Sequence, residues 1–403
     1  MFNENPDHQD TAMMLFNIGL VYYELGEYEK AREFCTTSLD LAKPLYHNID
    51  HPTLAYFIGW IGDIYSQLSE YDLACENSIH SLEMFRALFG TEAVHPLIME
   101  QNMNIGLVYL NMSKYQLALD HMTTATHMAE EICEKAFNHD TLADCYTIIG
   151  CIYAEQGKYG TALKFYSKSL NIRKNSSGKR EKYLAPLYCN IGHAYIGLGK
   201  HKEALEYLEK ALSIDKRTYG ADSHHVTIAV NYLNIAEAYN GQKSYELALK
   251  NALKSLTMHK ECYGEKANHP LLAKIHHAIA KAYKGKAEYS AAIENALKSL
   301  KIFQAMQGTD AKSCYMANVY LTTAGIYQGQ AKYKAALENA LKSLDIQKVI
   351  HGADAQHPDI ADRYVLIGDI YTCTEEYTLA LQNFRDGLKM WIAISDTELI
   401  ILK

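Results

Sequence analysis

Small and aromatic residues recur along this chain at a distance far longer than a helical turn or a strand repeat. Tyr stands at 22, 65, 109, 153, 195, 239, 283, 327 and 371, at intervals of 42–44. Three residues before each is a small residue: Gly19, Gly62, Gly106, Gly150, Gly192, Ala236, Ala280, Ala324 and Gly368. Nine residues after each is Ala: Ala31, Ala74, Ala118, Ala162, Ala204, Ala248, Ala292, Ala336 and Ala380. A small residue and a Tyr at i and i+3 share one helical stripe, where the first admits a neighbouring helix and the second fills the gap beside it. A short break follows, such as ELGEY at 24–28 or EQGKY at 155–159, and then a second helix whose Ala sits at the crossing with the first. Leu follows eight residues on in eight units, with Thr126 in the third. The pattern predicts an all-α chain of nine helical hairpins and leaves no room for a sheet.

The units run over 11–46, 52–89, 96–133, 140–174, 182–219, 226–263, 270–306, 313–350 and 358–395, a single array with no visible domain boundary across 1–403. Four linkers end in His-Pro, at 51–52, 95–96, 269–270 and 357–358, and Asp140 takes the proline's place in the fourth unit. Proline at the first helical position loses nothing, because the N–H it lacks would be unpaired there anyway.

Over residues 11–390 these positions resemble the tetratricopeptide repeat, and the 42–44-residue unit is similar to its kinesin light chain subgroup. The resemblance implies a right-handed α-α superhelix whose first helices line a concave groove. It also implies a non-enzymatic scaffold that holds a peptide or helical segment of a partner protein. In that family an asparagine ladder two residues before the small position faces the groove, and here the register holds Asn17, Asn104, Asn190 and Asn234. Asn is a mediocre helix former, and its amide offers both donors and an acceptor. The competing reading is that these asparagines tie neighbouring helices together. Further candidate contacts are Asp63, His193, Glu237, Lys281 and Asp369, one residue after the small position, and Tyr56, Glu100, Asp144, Lys274 and Asp362, six before it.

Composition narrows the picture further. Hydrophobic residues make up 48% of the 403 and charged residues 21%, which excludes a disordered or collagen-like chain. MFNENPDHQD carries no positive residue or apolar run, so it does not read as a secretory signal, and no apolar stretch is long enough for a membrane span. Nine cysteines form no C-x-x-C pair, which fits free thiols in a reducing cytoplasm. Charge is strongly segregated. Residues 1–150 hold 22 acidic and 6 basic residues, 151–350 hold 16 and 29, and the last 53 hold 9 and 4. Opposed fields of this kind would steer a dipolar partner into one direction.

Motifs for chemistry are absent: there is no G-x-x-x-x-G-K-[ST], H-E-x-x-H or G-x-S-x-G. His224–His225 and His276–His277 are neighbours that a helix turns about 100° apart, so no metal or other cofactor is expected. Cys145 and Cys151 have no basic cluster to activate them. The basic run RKNSSGKREK at 173–182 reads as a solvated loop without the aromatic platform of a nucleic-acid site. A second asparagine series, Asn77, Asn251, Asn295, Asn339 and Asn383, is expected to bond between hairpins. Gly197, Gly241, Gly285 and Gly329 are expected to end their first helices early. The apolar end, with Leu399, Ile400, Ile401 and Leu402, reads as either a truncated chain or a contact edge for association. Two other readings remain at this stage: the sensing portion of a larger enzyme or signalling protein, and a bacterial effector that engages a host protein.

Overall fold

Each unit's Tyr carbonyl receives the hydrogen bond that turns the chain. In all nine units it accepts, at 2.8–2.9 Å, from the backbone N–H five residues on, as in Glu27 to Tyr22 and Glu288 to Tyr283. This is the closing bond of a Schellman turn, and it requires the intervening residue to be left-handed. That residue is Gly26, Gly157 and Gly199 in three units, with φ of 70–76°, but Ser69, Ser113, Lys243, Ala287, Ala331 and Glu375 in the others, with φ of 57–64°. A side chain there costs roughly 1–2 kcal/mol, against about 0.5–1 kcal/mol for glycine's lost freedom. Replacing both Ala287 and Ala331 with Gly is therefore expected to stabilise the fold by up to about 1 kcal/mol per site, read as a raised midpoint in urea unfolding.

The computed structural model describes residues 8–401 except 48, 137–138, 176–182, 221–222, 224, 265–268, 308–312 and 353–354. The described residues form eighteen helices in nine hairpins and no strand. They are α1 His8–Glu24 with α2 Tyr28–Leu45, α3 Pro52–Gln67 with α4 Tyr71–Phe89, and α5 Pro96–Asn111 with α6 Tyr115–Ala136. Next come α7 Asp140–Glu155 with α8 Tyr159–Asn175, α9 Leu184–Gly197 with α10 His201–Tyr219, and α11 Val226–Gly241 with α12 Tyr245–Tyr263. The last are α13 Pro270–Gly285 with α14 Tyr289–Gln307, α15 Cys314–Gly329 with α16 Tyr333–His351, and α17 Pro358–Cys373 with α18 Tyr377–Ile401. Two compact units emerge, residues 1–152 and 153–403. Most of the basic run, His224 and Leu402 lie outside the described residues, as do the side chains of Leu399, Ile400 and Ile401.

The hairpin crossing follows the residue pattern. The nine alanines are 0–3% exposed. A Cβ on Gly62 would lie 2.6 Å from the Ser78 hydroxyl and 3.2 Å from the Ala74 carbonyl, so only a small residue lets α3 and α4 meet. Seven residues after the Ala, a buried serine hydroxyl donates to a carbonyl of the preceding helix: Ser38 to Ala12, Ser81 to Ala55, Ser255 to Ala229, Ser299 to Ala273 and Ser343 to Ala317, all at 2.6–2.8 Å.

The His of His-Pro has a use that the proline alone did not reveal. Nδ1 of His51, His95, His269 and His357 accepts from the backbone N–H two residues on at 3.1–3.2 Å, and His225 does the same for α11 at 3.3 Å. Each imidazole caps a helix start that would otherwise leave donors unpaired. Each also stacks on the aromatic ring that ends the preceding helix: Tyr46, Phe89, Tyr219, Tyr263 and His351, at 3.6–4.3 Å between centroids.

Two expectations are corrected here. The second-helix asparagines do not bridge hairpins: Nδ2 of Asn77, Asn251, Asn295, Asn339 and Asn383 donates to the carbonyl four residues back in its own helix, at 2.8–2.9 Å. Their side chains are short and sit beside that carbonyl, so the local bond forms first. Nor do Gly197, Gly241, Gly285 and Gly329 shorten their helices, which end two residues after the Tyr, as α3 and α5 do. These glycines instead make room for a ring from the preceding hairpin. A Cβ on Gly285 would fall inside the ring of Tyr245, and Gly197, Gly241 and Gly329 receive Tyr159, His201 and Tyr289 in the same way.

Candidate functional site

In residues 1–152 the candidate residues gather on α3 and α5. Asn104 Nδ2 donates to Asp63 Oδ2 at 3.0 Å, which links one hairpin to the next. Loss of hydration and the nearby charge of Glu100 push the Asp63 carboxyl up to about 7, although the Asn104 bond pulls the other way. Loss of hydration also raises Glu100. Tyr56 packs on Phe16 and edge-on to Trp60, which in turn meets Tyr23 edge-on at 5.4 Å. Asn17 on α1 and Asp144 on α7 are exposed.

In residues 153–403 the first helices face inward. Residues of α9, α11, α13, α15 and α17, with Tyr245 of α12, line a cavity of about 680 Å³. On this face His193 Nε2 lies 2.9 Å from Asn234 Oδ1, and Lys281 Nζ donates to Glu237 Oε2 at 2.7 Å. Burial alone would raise Glu237, but the charge of Lys281, aided by His277 and His193, holds it below the usual carboxylate range. His277, one residue before the inward Ala278, is buried and paired with the Thr322 hydroxyl at 2.8 Å. Lys274 lies 4.2 Å from the centroid of the Tyr315 ring, and Asn190 is half-buried on α9.

The unit also closes on itself. His357 Nε2 lies 3.2 Å from the Glu155 carbonyl, and a Cβ on Gly157 would meet Pro358 at 2.6 Å. The start of α17 therefore rests on the turn that follows α7. Asp362 lines the cavity nearby, and partial loss of hydration together with the charge of Asp359 pushes its carboxyl up to about 6 against the pull of Arg363. Asp369 is exposed on the next turns of α17, its carboxyl also raised by lost hydration.

The structure thus joins Asp63 with Asn104, His193 with Asn234, and Glu237 with Lys281. Asn104 and Asn234 both bond across to the residue that follows the small position of the preceding hairpin, 41 positions earlier. Sequence reasoning missed Ile196, Asn240 and Lys284, which line the cavity. They stand four residues after the small position, one helical turn beyond the candidates at +1, so following the stripe for another turn finds them.

Chemistry beyond binding finds little here. Burial pushes the thiols of Cys35, Cys145 and Cys189 up to about 12 and that of Cys314 to about 11, far from a thiolate nucleophile. His276 turns to Asn295 while His277 turns to Thr322, so the pair does not converge. Ligand atoms of His351, His357 and Asp359 come within 4.8 Å of one another. The two imidazoles are stacked face to face, however, and both nitrogens of His357 are already within bonding distance of backbone groups, so this cluster is a helix start and not a metal centre. No helix among the described residues is long and apolar enough to cross a membrane.

Comparison with known proteins matches this architecture. Profiles described as tetratricopeptide repeat match residues 12–44, 98–175, 183–261 and 227–305. No curated protein matches the sequence. Among solved structures, a Rap protein complexed with competence and sporulation factor is similar at 16% identity and a TM-score of 0.64, covering 96% of this chain and 99% of that one. The apo form of the quorum sensor NprR from B. thuringiensis is similar at 16% identity and 0.61, covering 85% and 89%. Repeats of a putative kinesin light chain from Podosopora anserina share 18% identity over 53% of this chain and 97% of theirs, with a TM-score of 0.40.

Proposed function

This chain belongs to the tetratricopeptide repeat family, and on that premise we propose that it is a non-catalytic scaffold in which the inward face of residues 153–403 holds a peptide or helical segment of a partner protein. The observation that carries this reading is the convergence of five successive first helices on one cavity with charged, amide and apolar walls. Such a wall suits a backbone with mixed side chains better than a uniform ligand. The likeness to a Rap protein complexed with competence and sporulation factor, and to a quorum sensor, supports a regulatory binding role on the same fold. Partner contacts are assigned to Asn190, Asn234, His193, Glu237, Lys274 and Lys281. Within residues 1–152, further partner contacts are assigned to Asn17, Asn104, Tyr56, Asp63, Glu100 and Asp144. None of the nine cysteines is in a disulfide, which suits a cytoplasmic setting.

The test separates the inner face from the outer. Leu366→Asp places a charge in the cavity wall, while Leu297→Asp alters a leucine that is 52% exposed on α14. Partners recovered by the wild-type chain are expected to be lost by the first variant and kept by the second, with both variants folded by circular dichroism. Loss through Leu297→Asp alone would move binding to the outer face and end this reading.

A further inference from the structure

The first hairpin carries an apolar stripe that nothing among the described residues covers. Met14, Ile18 and Val21 stand five and one residues before and two after the small position Gly19, on one side of α1. They are 68%, 42% and 60% exposed. In the first helices of the other eight hairpins the same three positions are only 0–5% exposed. The junction between the eighth and ninth hairpins shows what covers them there. Ile367 and Ile370 of α17, the equivalents of Ile18 and Val21, cluster with Leu337 and Leu344 of α16. Between α10 and α11, Ile235 and Ala238 meet Leu205 and Leu212 in the same way. The ninth hairpin offers this receiving surface once more. Leu381 and Leu388 of α18 stand 44 residues after Leu337 and Leu344 and are 55% and 60% exposed, whereas Leu344 is 5% exposed. Apolar faces of this kind mark contact surfaces rather than solvated caps.

We propose that a second copy of this chain covers both faces. α1 of one copy packs on α18 of another, Ile18 and Val21 against Leu381 and Leu388, and repeats between molecules the junction that joins hairpins within one. The occupant is a copy of the same chain because the two surfaces are, position for position, the two halves of an interface that the array already makes. Such a contact joins unlike surfaces, so a change on either one breaks it. Both hairpins are acidic, with 6 acidic and 3 basic residues over 8–45 and 8 and 3 over 358–401, so the attraction is apolar and works against charge.

Sedimentation equilibrium of the full chain, over a hundredfold range of concentration, tests this. Wild type is expected to exceed the monomer mass increasingly as concentration rises, and more so in high salt, which screens the two acidic hairpins from each other. Val21→Glu and Leu388→Glu, both at exposed positions, are expected to keep the wild-type circular dichroism and lose association. Met14→Glu on the same stripe should repeat the loss, while Leu297→Asp on α14 keeps association. Mixed in equal amounts, Val21→Glu and Leu388→Glu are expected to pair at least tenfold more tightly than either does alone, since each retains the face that the other lacks. A wild type that stays monomeric throughout, a Val21→Glu protein that still associates, or a mixture that does not pair overturns the proposal. Association weakened by salt would assign the contact to oppositely charged surfaces and overturn it too. The inner-face reading survives each of these outcomes.

Discussion

Replacing Arg363 with alanine is expected to cost about 3–5 kcal/mol and to release the last hairpin before the rest of residues 153–403 unfold. Arg363 is 1% exposed, and its guanidinium is distributed over two hairpins. Nε donates to Ser343 Oγ at 3.0 Å, one terminal nitrogen to the Asp359 carbonyl at 2.5 Å, and the other to Asn318 Oδ1. Alanine leaves a cavity of the side chain's volume and strands buried acceptors, and the two losses add. Because the bonds to Ser343 and Asn318 reach from α17 back to α16 and α15, the damage falls on the docking of α17 and α18. Hydrogen exchange should show amides of those two helices losing protection first, with α9–α13 little changed. The double variant Arg363→Met with Asn318→Leu removes the stranded acceptor and refills space, and should recover part of the loss. Uniform loss of protection across all helices would count against a role specific to the last hairpin.

Acid should weaken the chain through His277. Its imidazole is buried against Thr322, and burial together with the charge of Lys281 pushes it down to about 3, with Glu237 opposing. The unfolded chain takes up a proton near the ordinary value of 6.5. Above that value neither form is protonated, so this contribution to stability is complete. As pH falls below it the unfolded state binds a proton that the native state refuses, and stability drops by about 1.4 kcal/mol per pH unit. Urea unfolding at pH 7 and pH 5 should therefore show the wild type losing about 2 kcal/mol more than His277→Gln over that interval. Asp362, whose raised carboxyl gains a proton as pH falls through about 6, shifts stability the other way, but equally in both proteins. An identical pH dependence in the two would show that His277 is not held neutral by the fold.

The periodic pattern was enough to place all nine hairpins. The small residue, the Tyr and the Ala stand at fixed separations within one hairpin, and helical geometry alone brings them together. The Schellman turn was equally legible as a break between helices, although six of its nine left-handed positions are not glycine, so composition by itself would have found only three. The helix-capping role of the His in His-Pro was recoverable too, since the residue before a helix start must offer an acceptor.

What the repeat leaves open is decided between hairpins. Asn104 and Asn234 share a register with Asn17, yet whether each bonds across to a neighbour depends on what stands 41 residues earlier: Asp63 and His193 in these two cases. Gly285 and the other glycines end their helices at the same register as the other units, and the space that they leave is filled by a ring of the preceding hairpin, which spacing alone does not show. The second-helix asparagines turned to their own carbonyls because those lie nearer than any other hairpin. Lys281 and Lys284 are one turn apart on the same stripe, and sequence treats them alike; only the tertiary structure sets Glu237 beside the first and Gly325 beneath the second. Contacts within a hairpin are set by residue spacing, whereas contacts between hairpins are set by how far each pair of helices rotates and slides to pack. A shift of about one ångström there, invisible in a periodic sequence, decides which side chains meet.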